Sequence, residues 1–273
     1  MNEKELKAIA LQTRKYITRM FRVSGQGHFG GSFSCVEIVT ELYFEQMRVN
    51  AENPAWPDRD RFIISKGHGA PAVYGTLIQK GFIPEAWVEQ YEKLGASLST
   101  HPNYLKIPGF DMSAGSLGHG LAVGAGMALA AKMDGKDYRT YVLLGDGEEN
   151  EGAVWEAALC ANKYKLDNLT AITDRNRLCV GGCTEDVMPM EPLRDKWESF
   201  GFEVSEADGH DFVSLNKAFT ESAARKNGKP KMVICNTVKA KGIAFAENDV
   251  HWHAHTVDDA LYERIMAGLE AQS

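Results

Sequence analysis

Arg139-Thr140-Tyr141-Val142-Leu143-Leu144-Gly145-Asp146-Gly147-Glu148-Glu149-Asn150-Glu151 is the stretch from which the architecture of this 273-residue chain can be read. Its first part is apolar and β-branched, a buried strand stopped by the glycine. Gly152 to Lys165 then carries apolar residues at helical spacing, and Leu169-Thr170-Ala171-Ile172-Thr173 reads as the next strand. Asp146 and Asn176, thirty positions apart, are therefore expected at the carboxyl ends of two neighbouring parallel strands joined by a helix. Ligands of open α/β sheets bind at that edge. One carboxylate and one amide oxygen there suit Mg2+, which takes few protein oxygens and fills its octahedron with phosphate and water.

Outward from this unit the alternation continues. Arg61-Phe62-Ile63-Ile64 reads as a strand, and from Pro192 the pattern is helix to Phe200, strand 203–206, helix 212–226 and strand 232–236. Residues 3–22 and 257–269 read as terminal helices, 84–94 as a short helix, and Leu121 to Lys132 as a glycine- and alanine-rich helix able to pack very closely. The fold class is α/β, one domain over 1–273, with a mostly parallel sheet and helices on both faces.

Composition narrows the function. Hydrophobic residues at 44% and charged ones at 25% describe an ordinary soluble globular protein. A net charge of −7 without a Lys/Arg cluster argues against nucleic acid and anionic membrane as partners. Any bound phosphate is then expected to rely on a metal, histidines and backbone amides. The longest small-residue apolar run, Leu117 to Ala131, is too short to span a membrane, and the charged N-terminus has no apolar signal core. Five scattered cysteines read as reduced thiols of a cytoplasmic protein; Cys179 and Cys183 have no second Cys/His pair to complete a metal site.

Four loops carry the remaining chemistry. Ser24 to Ser34 is glycine-rich around His28, so backbone can approach a ligand closely, and Ser34 is a plausible cap for the helix after it. Ser65-Lys66-Gly67-His68 precedes a helix whose N-terminal dipole suits phosphate. His101-Pro102 with the loop Gly115-Ser116-Leu117-Gly118-His119, and then His251-Trp252-His253-Ala254-His255, follow. The last triplet could also be read as a metal site in an extended segment.

Gly145-Asp146-Gly147 with Asn176 thirty residues on resembles the thiamine diphosphate signature, and the chain around it resembles the N-terminal, diphosphate-binding part of a transketolase, motif by motif in the family order. The resemblance implies that Asp146, Asn176 and the Leu178 carbonyl hold Mg2+ and that Gly145, Gly147, Glu148 and His68 meet the cofactor diphosphate end. It places Gly115, Ser116 and Leu117 against the thiamine rings, and gives His28, His101 and His253 to substrate protons and orientation, His253 touching the diphosphate as well. Glu151 and Glu156 match a proton-sharing carboxylate network across a subunit interface, and His210 a structural position. There are departures: Phe29-Gly30-Gly31 stands where the family often has proline after the histidine, Ser116 and His119 where many members have Pro and Gln, and the loop reaching His253 is one residue longer.

The family continues with pyrimidine-binding and C-terminal domains, one of which supplies the glutamate that activates the cofactor. Neither fits in 273 residues. The resemblance therefore implies one chain of a split enzyme that transfers a two-carbon ketol (glycolaldehyde) unit from a ketose phosphate to an aldose, with the missing domains on a second chain in an α2β2 heterotetramer. Two alternatives stand beside it: the α subunit of a thiamine-dependent 2-oxo-acid dehydrogenase, and a non-catalytic assembly partner that keeps the fold.

Overall fold

The structure is a computed structural model and describes residues 1–272. Five strands, β1 (Arg61–Ile64), β2 (Thr140–Gly145), β3 (Leu169–Arg175), β4 (Glu203–Asp208) and β5 (Lys231–Asn236), form one wholly parallel sheet in the order β1-β2-β3-β5-β4. Alternate strand residues enter two cores. Phe62, Ile64, Tyr141, Leu143, Ile172, Val233 and Cys235 pack on one face, and Ile63, Val142, Leu144, Ala171, Met232 and Ile234 on the other. Burial on both faces is why these strands read as continuous apolar runs rather than alternating ones.

The first face is covered by α1 (Glu3–Ser24), α2 (Phe29–Phe33), α3 (Val36–Glu41) and α4 (Ala70–Lys80). The second is covered by α5 (Gly120–Met133), α6 (Gly152–Lys163) and α7 (Leu193–Ser199). Two further helices join the first core: α8 (Phe212–Ala224) against β4 and β5, and α9 (Asp259–Glu270) against α1. No described helix is long and apolar enough to cross a membrane. Gly145 pairs with Asp174 and Asp174 with Cys235, so the carboxyl ends of β2, β3 and β5 stand level.

Three local expectations are corrected. The stretch around His28 is not loop throughout: Phe29–Phe33 winds into a helical turn because Phe29 and Phe33 are both fully buried and stack at 5.8 Å. Ser34 consequently ends this turn, its N–H on the Gly30 carbonyl, instead of capping the next helix, which starts after Cys35; the Ser34 hydroxyl donates to Asp174. Residues 84–94 hold only a 3₁₀ segment, Glu85–Gln90, ended before Glu92 and Gly95, both at positive φ (62° and 84°). Beyond β3 a small hairpin turns at Val180 and Gly181, with Leu178 paired to Cys183 and Cys179 to Gly182.

The glycines of α5 serve different surfaces. Gly124 abuts the Val142 side chain, whereas Gly126 faces open space. A Cβ on Gly120 would lie 2.9 Å from the Ser65 Cα and closer still to its side chain. Backbone cannot yield there as a flexible side chain does. Gly120→Ala is expected to cost about 1–3 kcal/mol, read from chemical denaturation; a wild-type midpoint would show that the helix can slide off β1.

Candidate active site

The carboxyl edge of the sheet gathers several of the residues that the sequence singled out, together with two lysines. Lys66 and His68 follow β1, Asp146 follows β2, Asn176 follows β3 and Lys239 follows β5. They surround a cavity of about 260 Å3 whose wall also includes Leu117, Gly145, Gly147, Glu148, Leu178 and His253. A Cβ on Gly31 would stand 2.8 Å from His68 Nε2, so glycine in this loop lets the His68 ring lie against backbone.

Asp146 is 2% exposed. Its Oδ1 accepts from Gly147 N at 2.8 Å; its Oδ2 accepts from Arg177 N at 2.6 Å and Arg175 Nη1 at 3.3 Å. Burial, with Asp174 nearby, raises its pKa against these donors. Asn176 Oδ1 accepts from Leu178 N at 3.1 Å, and the Leu178 carbonyl accepts from Lys239 Nζ at 2.9 Å. Asp146 carboxylate, Asn176 amide oxygen and Leu178 carbonyl are hard oxygen donors of the kind Mg2+ takes, and a positive charge already sits on one of them. The donor set fits the ion.

Two of the site's charges are not evident from sequence. Lys66 is 1% exposed, and its Nζ donates to the Gly31 carbonyl at 2.6 Å and to Asp174. Burial opposes its charge, but Asp174 outweighs burial and raises the lysine pKa. Lys239 is 2% exposed, and its pKa is lowered by burial against the pull of Asp146 and Asp174. Two buried lysines thus stand at the cavity beside the metal ligands, histidines and backbone amides on which a bound phosphate was expected to rely. Both lysines lie inside loop motifs, Ser65-Lys66-Gly67-His68 and Lys239-Ala240-Lys241-Gly242, but isolated lysines in sequence read as solvated charge. Asp174 is hidden for the same reason. It binds Lys66, Ser34 and Thr237 and holds the lysine loop to the sheet.

Three histidines form a triangle at this cavity. Ring centroids are 5.5 Å apart for His28 and His68, 5.7 Å for His28 and His253, and 5.3 Å for His68 and His253. Burial and then His101 lower the pKa of His28; burial and then Lys66 lower that of His68; burial and then Lys239 push His253 down to about 4. The direction is the same for all three and favours the neutral imidazole. Lys239 Nζ lies 3.3 Å from His253 Nδ1. An ammonium can only donate, so Nδ1 accepts and the His253 proton is on Nε2.

The other expected residues stand outside this triangle. His101 is exposed beside Gly67 and Gly115: Cβ atoms built there would approach its ring to 3.1 and 3.5 Å. Gly115, Ser116 and His119 are exposed, as are Glu151 and Glu156 on the outer side of α6. His251 and His255 are exposed too, and among the described residues no group of three or more His/Cys/Asp/Glu side chains is placed to hold a metal. Glu148 lines the cavity, but its carboxylate is occupied by protein. It accepts from Ser65 Oγ, from Gly118 N at 2.9 Å and from Gly145 N at 3.0 Å, tying three cavity loops together.

Glu149, next in sequence, turns into the second core with no exposure and accepts from Thr173 Oγ1 and Trp197 Nε1. Full burial pushes its pKa up to about 8. Below the ordinary carboxylate range both folded and unfolded chains hold this proton, so nothing is lost. As pH rises toward 8 only the unfolded chain releases it, so stability falls across that window and the penalty is complete above it. Glu149→Gln removes the charge, and Thr173 can turn its proton to Met232 Sδ, 3.3 Å away. The variant is expected to melt higher than wild type at pH 8.5 and nearly level with it at pH 5. Equal differences at both pH values would refute the buried-acid account.

With this geometry in place, the chain can be set beside known proteins. The family described as "Transketolase, thiamine diphosphate binding domain" matches residues 7–273. The chain is 45% identical over 262 residues to an apulose-4-phosphate transketolase subunit of Phocaeicola vulgatus, covering 95% of this chain and 92% of that protein. It is 41% identical over 248 residues to a 6-deoxy-6-sulfo-D-fructose transketolase subunit of a Clostridium species, covering 91% and 90%. The transketolase structure from Campylobacter jejuni superposes with a TM-score of 0.92 at 28% identity; 99% of this chain covers 43% of that one.

Proposed function

Because the chain belongs to the transketolase family, matching its thiamine diphosphate-binding domain over nearly its whole length, we propose that it is one subunit of a split transketolase dependent on thiamine diphosphate and Mg2+. With a second chain that carries the pyrimidine-binding and C-terminal domains, in an α2β2 assembly, it passes a two-carbon ketol unit from a ketose phosphate to an aldose. The division of domains is supported by relatives of like length named as subunits, and by coverage of less than half of the Campylobacter enzyme. Apulose 4-phosphate and 6-deoxy-6-sulfofructose, the sugars in the relatives' names, are candidate donors beside the pentose phosphates. The five cysteines are free of disulfides, which fits a cytoplasmic protein.

The observation that carries this reading is the convergence of Asp146, Asn176, the Leu178 carbonyl and two lysines on one cavity beside three neutral histidines. Thiamine diphosphate, when bound, supplies a nucleophilic carbon and an electron sink for cleaving a bond next to a carbonyl. The chain's own groups do the remaining work. Lys66 and Lys239 would offer positive charge to the diphosphate, and the three oxygen donors would hold the cation that screens it. His28 and His253 exchange protons at substrate oxygens at neutral pH because burial keeps them unprotonated. His101 handles the substrate hydroxyl from the open side. Glu151 and Glu156 are exposed in this chain and become a carboxylate network when the assembly covers them.

The test is to isolate the chain with whatever accompanies it in its source cells, identify the companion by mass, and assay ketol transfer from a panel of ketose phosphates with thiamine diphosphate and Mg2+. A stoichiometric partner and transfer to an aldose acceptor are expected. A lone chain that cleaves ketoses would refute the division of domains. A cofactor-loaded assembly inactive on every ketose would make the chain a non-catalytic partner instead.

A further inference from the structure

Three side chains behind the cavity form a network that the chemistry above does not use. Arg14 of α1 grips Glu37 of α3 with both ends of its guanidinium, Nη1 to Oε1 at 2.6 Å and Nη2 to Oε2 at 2.9 Å. Its Nε also donates to the Lys241 carbonyl at 2.8 Å. Glu37 Oε2 lies 3.0 Å from His210 Nδ1, and His210 Nε2 lies 2.8 Å from the Val238 backbone N–H. A backbone N–H only donates, so Nε2 accepts, and the ring carries its proton on Nδ1 and donates it to Glu37. Burial works against the Glu37 charge, but Arg14 and His210 overcome it and hold its pKa down to about 2.

One buried carboxylate thus supports two arms that take hold of the chain on either side of Lys239, at Val238 and at Lys241. The segment between them is neither helix nor strand but a turn, with Lys241 N on the Val238 carbonyl at 3.2 Å and Asn248 N on the Lys239 carbonyl at 3.1 Å. Ala240 is at φ 58°, and its N–H reaches the Gly30 carbonyl only at 3.3 Å. Gly242, at φ 97°, sits so close to Arg14 that a Cβ would come within 2.9 Å of its Cδ. From this held segment Lys239 sends its ammonium to the Leu178 carbonyl and to His253.

We infer that Arg14, Glu37 and His210 are positioning residues for Lys239, fixing the backbone on both sides of it so that its ammonium stands in the cavity to meet the cofactor's diphosphate. The inference rests on the reading of that cavity as the diphosphate site. None of the three touches the cavity itself; each acts through the 238–241 segment.

A double-mutant cycle tests this in the assembled protein, with thiamine diphosphate affinity read by calorimetric titration and unphosphorylated thiamine as the control ligand. Lys239→Met is expected to weaken thiamine diphosphate binding at least about tenfold, the scale of one charge-assisted hydrogen bond. His210→Phe is expected to weaken it about fivefold or more, with no further loss when both changes are combined, since the two act on one contact. Thiamine binding should be untouched. Additive losses, or an affinity for His210→Phe within about twofold of wild type, overturn the inference while leaving the cavity assignment intact. Normal binding by Lys239→Met overturns the cavity assignment as well. Should His210→Phe not fold, Arg14→Lys enters the same cycle through the other arm; if neither folds, the network is a folding element and the inference falls.

Discussion

Asp146→Ala is expected to eliminate the Mg2+ dependence of thiamine diphosphate binding in the assembled protein and to weaken that binding by at least about a hundredfold. The magnitude follows from position. Residues that merely orient a metal ligand are each worth about 10- to 100-fold in affinity, and a direct ligand is worth no less. Of the three oxygens expected on the cation, Asp146 provides the one carboxylate. Asn176 and Leu178 offer neutral oxygens, which cannot hold a divalent ion against water by themselves. The change should not unravel the site. Arg175 keeps Glu185 and Glu191, both at 2.9 Å, and Thr184 at 2.8 Å, so its guanidinium is not left as an isolated buried charge. Gly147 and Arg177 lose an acceptor, at a cost of about 1–3 kcal/mol for each N–H that water cannot reach. Calorimetric titration with and without Mg2+, with a thermal melt of the same samples, separates the two effects. A variant that keeps full, Mg2+-dependent affinity would end the metal assignment. A variant that melts far below wild type without binding would require Asp146→Asn, which keeps one acceptor oxygen, as the deciding measurement.

How much of this is legible in the sequence depends on whether a residue's role is set locally or by distant chain. The strand ending at Gly145 and the strand beginning at Leu169 are readable because burial on both faces leaves an uninterrupted apolar run, and the run is a local property. Asp146 and Asn176 follow, because parallel connectivity alone places both at one edge. The helical turn at Phe29–Phe33 is not readable. Five residues rich in glycine have little intrinsic helical preference, and it is the packing of two phenylalanines into a core built by other segments that imposes the turn. Lys66 and Lys239 are hidden for a related reason. A lysine's role changes from solvated charge to buried cation only when Asp174, which lies 108 positions from one of them, is brought against it. Glu149 shows the opposite trap: flanked by Glu148 and Asn150, it reads as surface, yet a 3₁₀ turn at 147–150 rolls it into the core beside Trp197. Spacing locates loops at the sheet edge; it does not say which of several polar neighbours turns inward.

For His101→Ala the expected result is a fall in turnover of at least about a hundredfold with cofactor affinity and melting temperature close to wild type. The structure makes this a clean experiment. His101 is exposed, so truncating it opens no cavity, and the bond that holds its own segment, Ser99 Oγ to the His101 carbonyl at 2.7 Å, is to backbone and survives the change. Its ring stands against Gly67 and Gly115 rather than against Asp146, Lys66 or Lys239, so the diphosphate end of the cavity should not register the loss. What the substitution does remove is an imidazole one step outward from the triangle of His28, His68 and His253, close enough that its charge would depress the pKa of His28. That places it where a substrate lying over the cavity would present hydroxyls to it. The kinetic signature discriminates among roles. A lower kcat at unchanged KM identifies a proton carrier; a higher KM at unchanged kcat identifies a group that binds substrate and transition state equally and only orients the sugar. Unchanged turnover at saturating and limiting ketose alike would remove His101 from the site, and the proton transfers would then have to be shared between His28 and His253.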